Sequence, residues 1–491
     1  MTFGPTMVDD ATPSSAAHPT GTGDNDPPRR VNAGSFRDPG SRVFLQHGQI
    51  YRALDRRSME NWRKLAATRF FAEGVADGRI VGTDLAAGIE TIEGEEWVGV
   101  LHHERVPVVS YPYEWTFSML RDAAMLQLDL LSAALVEDMI LKDSTPFNVQ
   151  WRGRNPVFID IGSFEALERG DVWVGYNQFL RQYLYPLMLT AHVGIPFQPW
   201  LRGQPDGLTA EQLRRVLSSR DLLRKSGLLH VALPARAERK ARGGGRDVRS
   251  ELKEAGFSKE MIDSNINGLR RIVSGLDWNP GSSRWNRYAT ECDHVQVDRR
   301  AKAAFVTRVL ADDAPAVVWD VGANDGYFSR LVAETAGYVL ALDADDVILD
   351  EVYRSLKASG PDNVLPIVQD LADPSPGIGW RGLERPPFVD RSSPDLVLCL
   401  AVIHHLVIGR NVPLRAVITW LADLGARVIL EFVSPEDPMV RALTVNKKPH
   451  EVHRDYNETD LRRYLEKRFV TESEDELPGG TRRLFALRPI T

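Results

Sequence analysis

The residues best suited to chemistry stand at the ends of apolar runs in the second part of the chain. Val318-Trp-Asp-Val-Gly-Ala-Asn-Asp-Gly-Tyr-Phe-Ser329 reads as a buried strand running into Asp320. A turn holding Gly322, Ala323, Asn324 and Gly326 follows, and then a helix start around Tyr327 and Phe328. The two glycines let the backbone turn sharply and approach a ligand without Cβ interference. The opening helix aims unpaired backbone N–H groups at that ligand. The spacing Gly-x-x-x-Gly differs from the Gly-x-Gly-x-x-Gly of dinucleotide binders. Two more carboxylates end the next apolar runs, Asp343 after Gly337–Leu342 and Asp370 after Asn363–Gln369. The fourth run, Pro394–Leu406, ends at His404 and His405. Histidine titrates near neutral pH, so either ring can take up a proton there. The competing reading is that one ring packs under a ligand and the other caps the next helix.

These residues need a sheet to position them. A nearly unbroken apolar run such as 394–406 suits a parallel strand buried on both faces, with ligands bound beyond its carboxyl end. A fifth strand is expected at Ala426–Val433, with Glu431 a further acid facing the pocket. Arg468-Phe-Val-Thr-Glu, a Pro-Gly-Gly turn at 478–480 and Arg483–Leu487 predict a closing hairpin. Asp343 lies where a doubly wound sheet places the acid that accepts hydrogen bonds from ribose hydroxyls. The alternative is a helix-capping Asp, a role open also to Asp345 or Asp346. Asp370 can equally be an ordinary loop acid.

The turn, the spaced acids and the terminal hairpin together resemble the class I S-adenosylmethionine-dependent methyltransferases over residues 285–491. The resemblance implies an α/β, Rossmann-like domain with a mostly parallel seven-stranded sheet ending in an antiparallel hairpin. It implies that Asp320, Gly322, Ala323, Asn324, Gly326 and Phe328 cradle the methionine end of S-adenosylmethionine. Asp343 would hold the ribose and Asp370 would touch the adenine. His405, with His404 as alternate, would be the base for an oxygen or nitrogen acceptor. Trp285 and Tyr288 would close over the cofactor or pack between domains.

Composition sets limits on the rest. The chain has 491 residues, enough for several domains, with 43% hydrophobic and 26% charged residues. A net charge of −7 argues against nucleic-acid binding, which needs a basic face. Two cysteines give neither a disulfide framework nor metal-ligand spacing. Cys399 reads as a small core residue, and Cys292 beside His294 is too little for a zinc site. No metal is expected. Residues 1–38 read as a disordered polar tail without the apolar core of a signal peptide, which implies a cytoplasmic protein. The apolar stretch Phe179–Phe197 is too broken by Arg181, Gln182 and Pro186 to span a membrane.

The first part of the chain carries a second constellation. Trp115–Ile140 has helical periodicity and leads into Asp143, Asn148, a short hairpin over 149–158, and Asp160-Ile-Gly162. The order resembles the catalytic core of protein-kinase-like and aminoglycoside-phosphotransferase-like folds. That resemblance makes Asp143 base-like and Asn148 and Asp160 metal ligands. Leu141 and Lys142 depart from the usual motif, no glycine-rich phosphate loop precedes it, and Arg52 stands where a strand lysine is expected. The competing reading is that Asp143 and Asn148 merely form turns. The expected organisation is an α+β kinase-like or accessory domain at 39–205, then a helical segment at 206–284 with a charged, glycine-rich linker at 235–247. Phe147–Glu165, Trp173–Phe179 and Pro196–Gly203 make most of the chain resemble nodulation-protein-like bacterial methyltransferases. The expected function is methyl transfer to a small molecule or glycan. A bifunctional glycan kinase–methyltransferase and a non-catalytic cofactor-binding scaffold are the alternatives.

Overall fold

A computed structural model describes residues 29–89, 92, 96–168, 171–223, 227–235, 259–280, 293–311, 314–448 and 451–490. The linker at 236–247, most of the expected tail, Trp285, Tyr288 and Cys292 lie outside the described residues, as does the side chain of His294.

The amino-terminal half holds β1 (Arg30–Val31), β2 (Ser41–Gln46), β3 (Gln49–Leu54), β4 (Thr83–Leu85) and β5 (Gly99–His103). They form one sheet in the order β1-β2-β3-β5-β4. Residues 30–38 are therefore not tail. Arg30 and Val31 pair with Leu45 and Phe44, and Arg37 forms an ion pair with Glu384 at 2.6 Å. Next comes the helix Phe117–Val136, whose Thr116 hydroxyl accepts from the Met119 N–H. Apolar periodicity suggests that this helix continues to Ile140, but it stops at Val136. Asp138 turns the chain with φ 57°, and Met139–Leu141 becomes β6. β6 pairs with β9 (Phe164–Ala166), and β7 (Val149–Arg152) pairs with β8 (Asn155–Phe158) as the expected hairpin. Helices Arg56–Ala66 and Arg69–Ala76, a bent helical run over 176–193, helices Gln198–Gly203, Ala210–Val216 and Lys259–Ser274, and shorter turns complete this half.

The carboxy-terminal half holds β10 (Val317–Val321), β11 (Tyr338–Asp343), β12 (Val364–Val368), β13 (Leu396–Cys399), β14 (Arg427–Val433), β15 (Phe469–Glu476) and β16 (Arg482–Pro489). The sheet order is β12-β11-β10-β13-β14-β16-β15. The first five strands are parallel, and β16 enters antiparallel between β14 and β15. Successive side chains alternate between faces. Trp319, Val321, Leu340, Leu342, Val397 and Cys399 join one core cluster, while Val318, Val339, Ala341, Leu396 and Leu398 join the other. β13 is shorter than its apolar run. It ends at Cys399, and Ala401 breaks the chain with φ 56°.

The larger core cluster is continuous across both halves. At their boundary the Asp350 carboxylate, buried on helix Asp346–Ser359, accepts from the Ser118 N–H at 2.7 Å and its hydroxyl at 3.0 Å. A negative charge thus sits on the first turn of helix Phe117–Val136, where the helix dipole and free N–H groups favour it. The Tyr353 hydroxyl donates to Asp122 at 2.7 Å, and its ring meets Trp151 edge-on. Arg154 donates to the Gly360 carbonyl at 2.6 Å beyond the other end of the same helix. At Gly153 (φ 56°) a Cβ would lie 1.6 Å from the Asp362 carbonyl oxygen, so the β7–β8 turn can only touch this half as glycine. Arg391 and Glu114, both almost fully buried, form a forked ion pair with one contact at 2.9 Å. Removing one partner of a buried pair strands the other charge. Glu114→Gln should therefore destabilise the protein by about 3–5 kcal/mol in denaturant titration, whereas an unchanged midpoint would mean that this contact does not hold the halves together.

Candidate functional site

The site lies at the carboxyl ends of β10, β11 and β13. The turn after β10 folds back onto β11, with the Gly322 and Ala323 N–H groups donating to the Leu342 carbonyl at 2.8 and 2.9 Å. Gly322 (φ 72°) and Gly326 (φ 69°) adopt the left-handed conformation that favours glycine, and a Cβ on Gly322 would press on Val402 at 2.5 Å. Asn324 shares that conformation (φ 47°), and its N–H donates to Asp343 at 3.0 Å. The other Asp343 oxygen accepts from the Asp345 N–H at 3.0 Å. Burial raises the Asp343 carboxyl above its usual range, against the pull of these N–H groups.

Asp320 is buried and accepts the Ser329 hydroxyl at 2.6 Å. Burial pushes its carboxyl up to about 7, opposed by Ser329 and reinforced by Asp343 and Asp325. Asp320, Gly322, Ala323, Asn324, Gly326 and Asp343 are thus brought together. Phe328, at the start of the helix after the turn, is partly buried and packs against the cluster holding Phe305, Val306 and Val332. Asp345, not Asp343, caps helix Asp346–Ser359, accepting from Val347 and Ile348. Asp370 stands at the neighbouring strand end and forms an ion pair with Arg410.

His404 and His405 do not end a strand. They open the π-helical turn His405–Gly409 and stack with ring centroids 4.1 Å apart. His404 is 1% exposed, and among the described residues neither ring nitrogen has a hydrogen-bond partner. Burial lowers both pKa values, and Arg482 adds to the effect, so the imidazoles are neutral at physiological pH. Glu431 does not face an open pocket. It is 0% exposed and lies between Lys302 at 2.7 Å and Arg482 at 3.2 Å, and Arg482 also holds Asp437 at 2.9 Å. Cys399 is a core residue whose thiol burial pushes up.

The second constellation also assembles. Asp160 accepts from Ser163 at 2.6 Å and Asn148 at 3.3 Å, and Arg52 of β3 contacts its other oxygen at 2.9 Å. Asp143 lies nearby, its carboxyl raised by burial and by the Asp160 charge. Among the described residues no cluster of three or more His, Cys, Asp or Glu side chains could hold a metal.

A parallel sheet with its last-but-one strand position taken by a reversed strand, and a glycine turn with strand-end acids at its carboxyl edge, define a methyltransferase-type Rossmann-like fold. The whole chain belongs to the family of nodulation protein NoeA. The protein of that name from Rhizobium meliloti (strain 1021) is 32% identical over 462 residues, covering 93% of this chain and 96% of that one. No protein-family profile matches. Among solved structures, magnesium protoporphyrin IX methyltransferase (ChlM) from Synechocystis PCC 6803 is similar over 42% of this chain and 92% of its own, at 19% identity and a TM-score of 0.31. N-methyltransferase NodS from Bradyrhizobium japonicum WM9 matches 40% of this chain and 97% of its own, at 13% identity and a TM-score of 0.29. These likenesses are distant, and the fold assignment rests on the strand order. No helix among the described residues is long and apolar enough to cross a membrane.

A carboxyl raised in the folded state destabilises that state once it must ionise. Between about pH 4 and 7 the unfolded chain loses the Asp320 proton first, so stability falls with rising pH by about 1.4 kcal/mol per unit for that group. Asp320→Asn should flatten this slope in urea titrations of the ligand-free protein at pH 5 and pH 8. An identical slope in both proteins would mean that Asp320 ionises normally.

Proposed function

We propose that the chain transfers a methyl group from S-adenosylmethionine to a small-molecule or glycan acceptor. The observation that supports this most is the cradle of Asp320, the Gly322–Gly326 turn and Asp343 at one edge of the sheet. The residues suit the cofactor. A buried carboxyl stands where an ammonium would sit, the turn leaves room for close backbone approach, and a strand-end acid can accept from ribose hydroxyls. When bound, the cofactor supplies a methyl carbon activated by a positively charged sulfur. Asp320 and the turn orient the methionine end, Asp343 the ribose, and Asp370 the adenine side. Alignment of this kind can supply much of the acceleration of an in-line displacement. The neutral His405 ring, the more accessible of the pair, receives the proton that an oxygen or nitrogen acceptor gives up as its bond to carbon forms. His404 stacks beneath it, and its buried nitrogens suit a polar atom of the ligands.

Asp343→Ala should weaken cofactor binding by about 1–3 kcal/mol, the scale of charge-assisted hydrogen bonds, and Gly322→Val should abolish it. Calorimetry showing no cofactor binding by the intact protein would remove the reading. His405→Ala should lower kcat by about 10²- to 10⁴-fold with cofactor affinity unchanged, and equal turnover in the two proteins would leave positioning alone as the mechanism.

For the amino-terminal half we propose a kinase-like shape without phosphotransfer. The sheet order β1-β2-β3-β5-β4, the β6–β9 and β7–β8 pairs, and the grouping of Asp143, Asn148 and Asp160 support the shape. Arg52 already supplies positive charge to Asp160, where phosphotransfer would need a metal ion. Magnesium-ATP should therefore give no turnover. Turnover that vanishes in Asp143→Ala and Asp160→Ala would restore a bifunctional enzyme.

A further inference from the structure

The helix Gln198–Gly203 belongs to the amino-terminal half, anchored there by the buried Phe197 and Leu201. Its two ends reach the carboxy-terminal half at two particular places. Near its start, the Gln198 amide donates to the Trp115 carbonyl at 3.0 Å and lies against the Asp346 carboxylate. Near its end, Arg202 forks onto Asp373, with contacts of 3.1 and 3.2 Å to the two carboxylate oxygens, and reaches the Pro374 carbonyl at 3.4 Å. Asp346 opens the helix that follows the strand-end acid Asp343. Asp373 lies in the turn that follows Asp370, its N–H donating to the Asp370 carbonyl at 3.1 Å. The helix thus touches, at Asp346 and Asp373, the segments that follow the two acids Asp343 and Asp370 of the proposed nucleoside end.

Gln198 carries a second, independent sign of a ligand. It is 8% exposed, and its Oε1 has no hydrogen-bond partner among the described residues. With the amide N–H groups directed to the Trp115 carbonyl and Asp346, the acceptor oxygen is left over. A buried carbonyl without a donor costs stability, and such an atom next to a site is explained by the group that fills it. Ribose hydroxyls and an exocyclic amine are donors of the required kind.

We infer that helix Gln198–Gly203 forms one wall of the nucleoside subsite, with Gln198 Oε1 accepting a hydrogen bond from the adenosine of the cofactor and Arg202 fixing the wall against Asp373. This rests on the methyltransferase reading and deepens it. Cofactor binding is then a property of the joined halves, not of the methyltransferase half alone. The amino-terminal half serves the reaction by completing this wall.

The test is calorimetric titration of the full chain with S-adenosylhomocysteine and with 5′-methylthioadenosine, which keeps the nucleoside and lacks the amino acid end. Gln198→Leu should raise Kd for both ligands by the same factor, about three- to tenfold for one lost hydrogen bond. Arg202→Glu, which sets two negative charges face to face, should do likewise with an unchanged Tm. Where Gln198→Leu lowers Tm substantially, the half-exposed Arg202→Glu carries the test. Wild-type binding of both ligands with unchanged Kd in the folded variants would overturn the inference and leave the methyltransferase reading standing. Absence of binding by the wild type would overturn the reading itself, and the inference with it.

Discussion

The arrangement depends on one carboxylate. Asp350 sits on the helix that begins just after Asp343, yet its oxygens are used by Ser118 at the start of a helix in the other half. A buried charge is tolerated only when donors surround it, and here they come from an N-terminal helical turn whose dipole has the matching sign and from Arg354, on Asp350's own helix, at 3.2 Å. Ser118 and Asp350 therefore need each other buried. Tyr353 and Arg154 extend the hold along the same helix to its far end. The helix that sets the strand-end acid is thereby fixed from outside its own sheet, so the two halves act as one body around the site.

The polar interior follows a consistent pattern. Buried carboxylates that face the opposite half or neighbouring strands are neutralised by arginine or lysine, as Glu114 is by Arg391 and Glu431 by Lys302 and Arg482. Asp160 is treated likewise by Arg52. The carboxyl at the cradle, Asp320, has a hydroxyl for its direct partner instead, and the His404 ring has nitrogens without a partner among the described residues. At the cradle carboxyl, unlike these ion-paired carboxylates and unlike Asp370 with Arg410, no cation among the described residues is the direct partner.

Much of the carboxy-terminal half was legible in the sequence, because each informative signal is local. A strand, its terminal acid and its glycine turn lie side by side in the chain, and so do the two strands of the closing hairpin. The misread features depend on distant partners or on single backbone angles. Apolar periodicity ran through Val136 because Met139, Ile140 and Leu141 are as apolar as the helix they follow, and only the turn at Asp138 separates them. The apolar run around β13 outlasts the strand for the same reason, with the break at Ala401 invisible in composition. Glu431 looked available because Lys302 and Arg482 come from a remote helix and strand. Gln198 lies in the Pro196–Gly203 stretch that carried the family resemblance, but its contact with Asp346 of the other half has no local signal.

The raised Asp320 carboxyl also has a calorimetric consequence. Below about pH 7 the ligand-free site holds a proton there. A ligand ammonium placed against it favours the ionised form, so binding expels that proton into the buffer. The observed heat of binding then varies with the ionisation enthalpy of the buffer, and affinity climbs with pH until the carboxyl is already charged. On the proposed reading, occupation of the cradle would then be measurable as proton release.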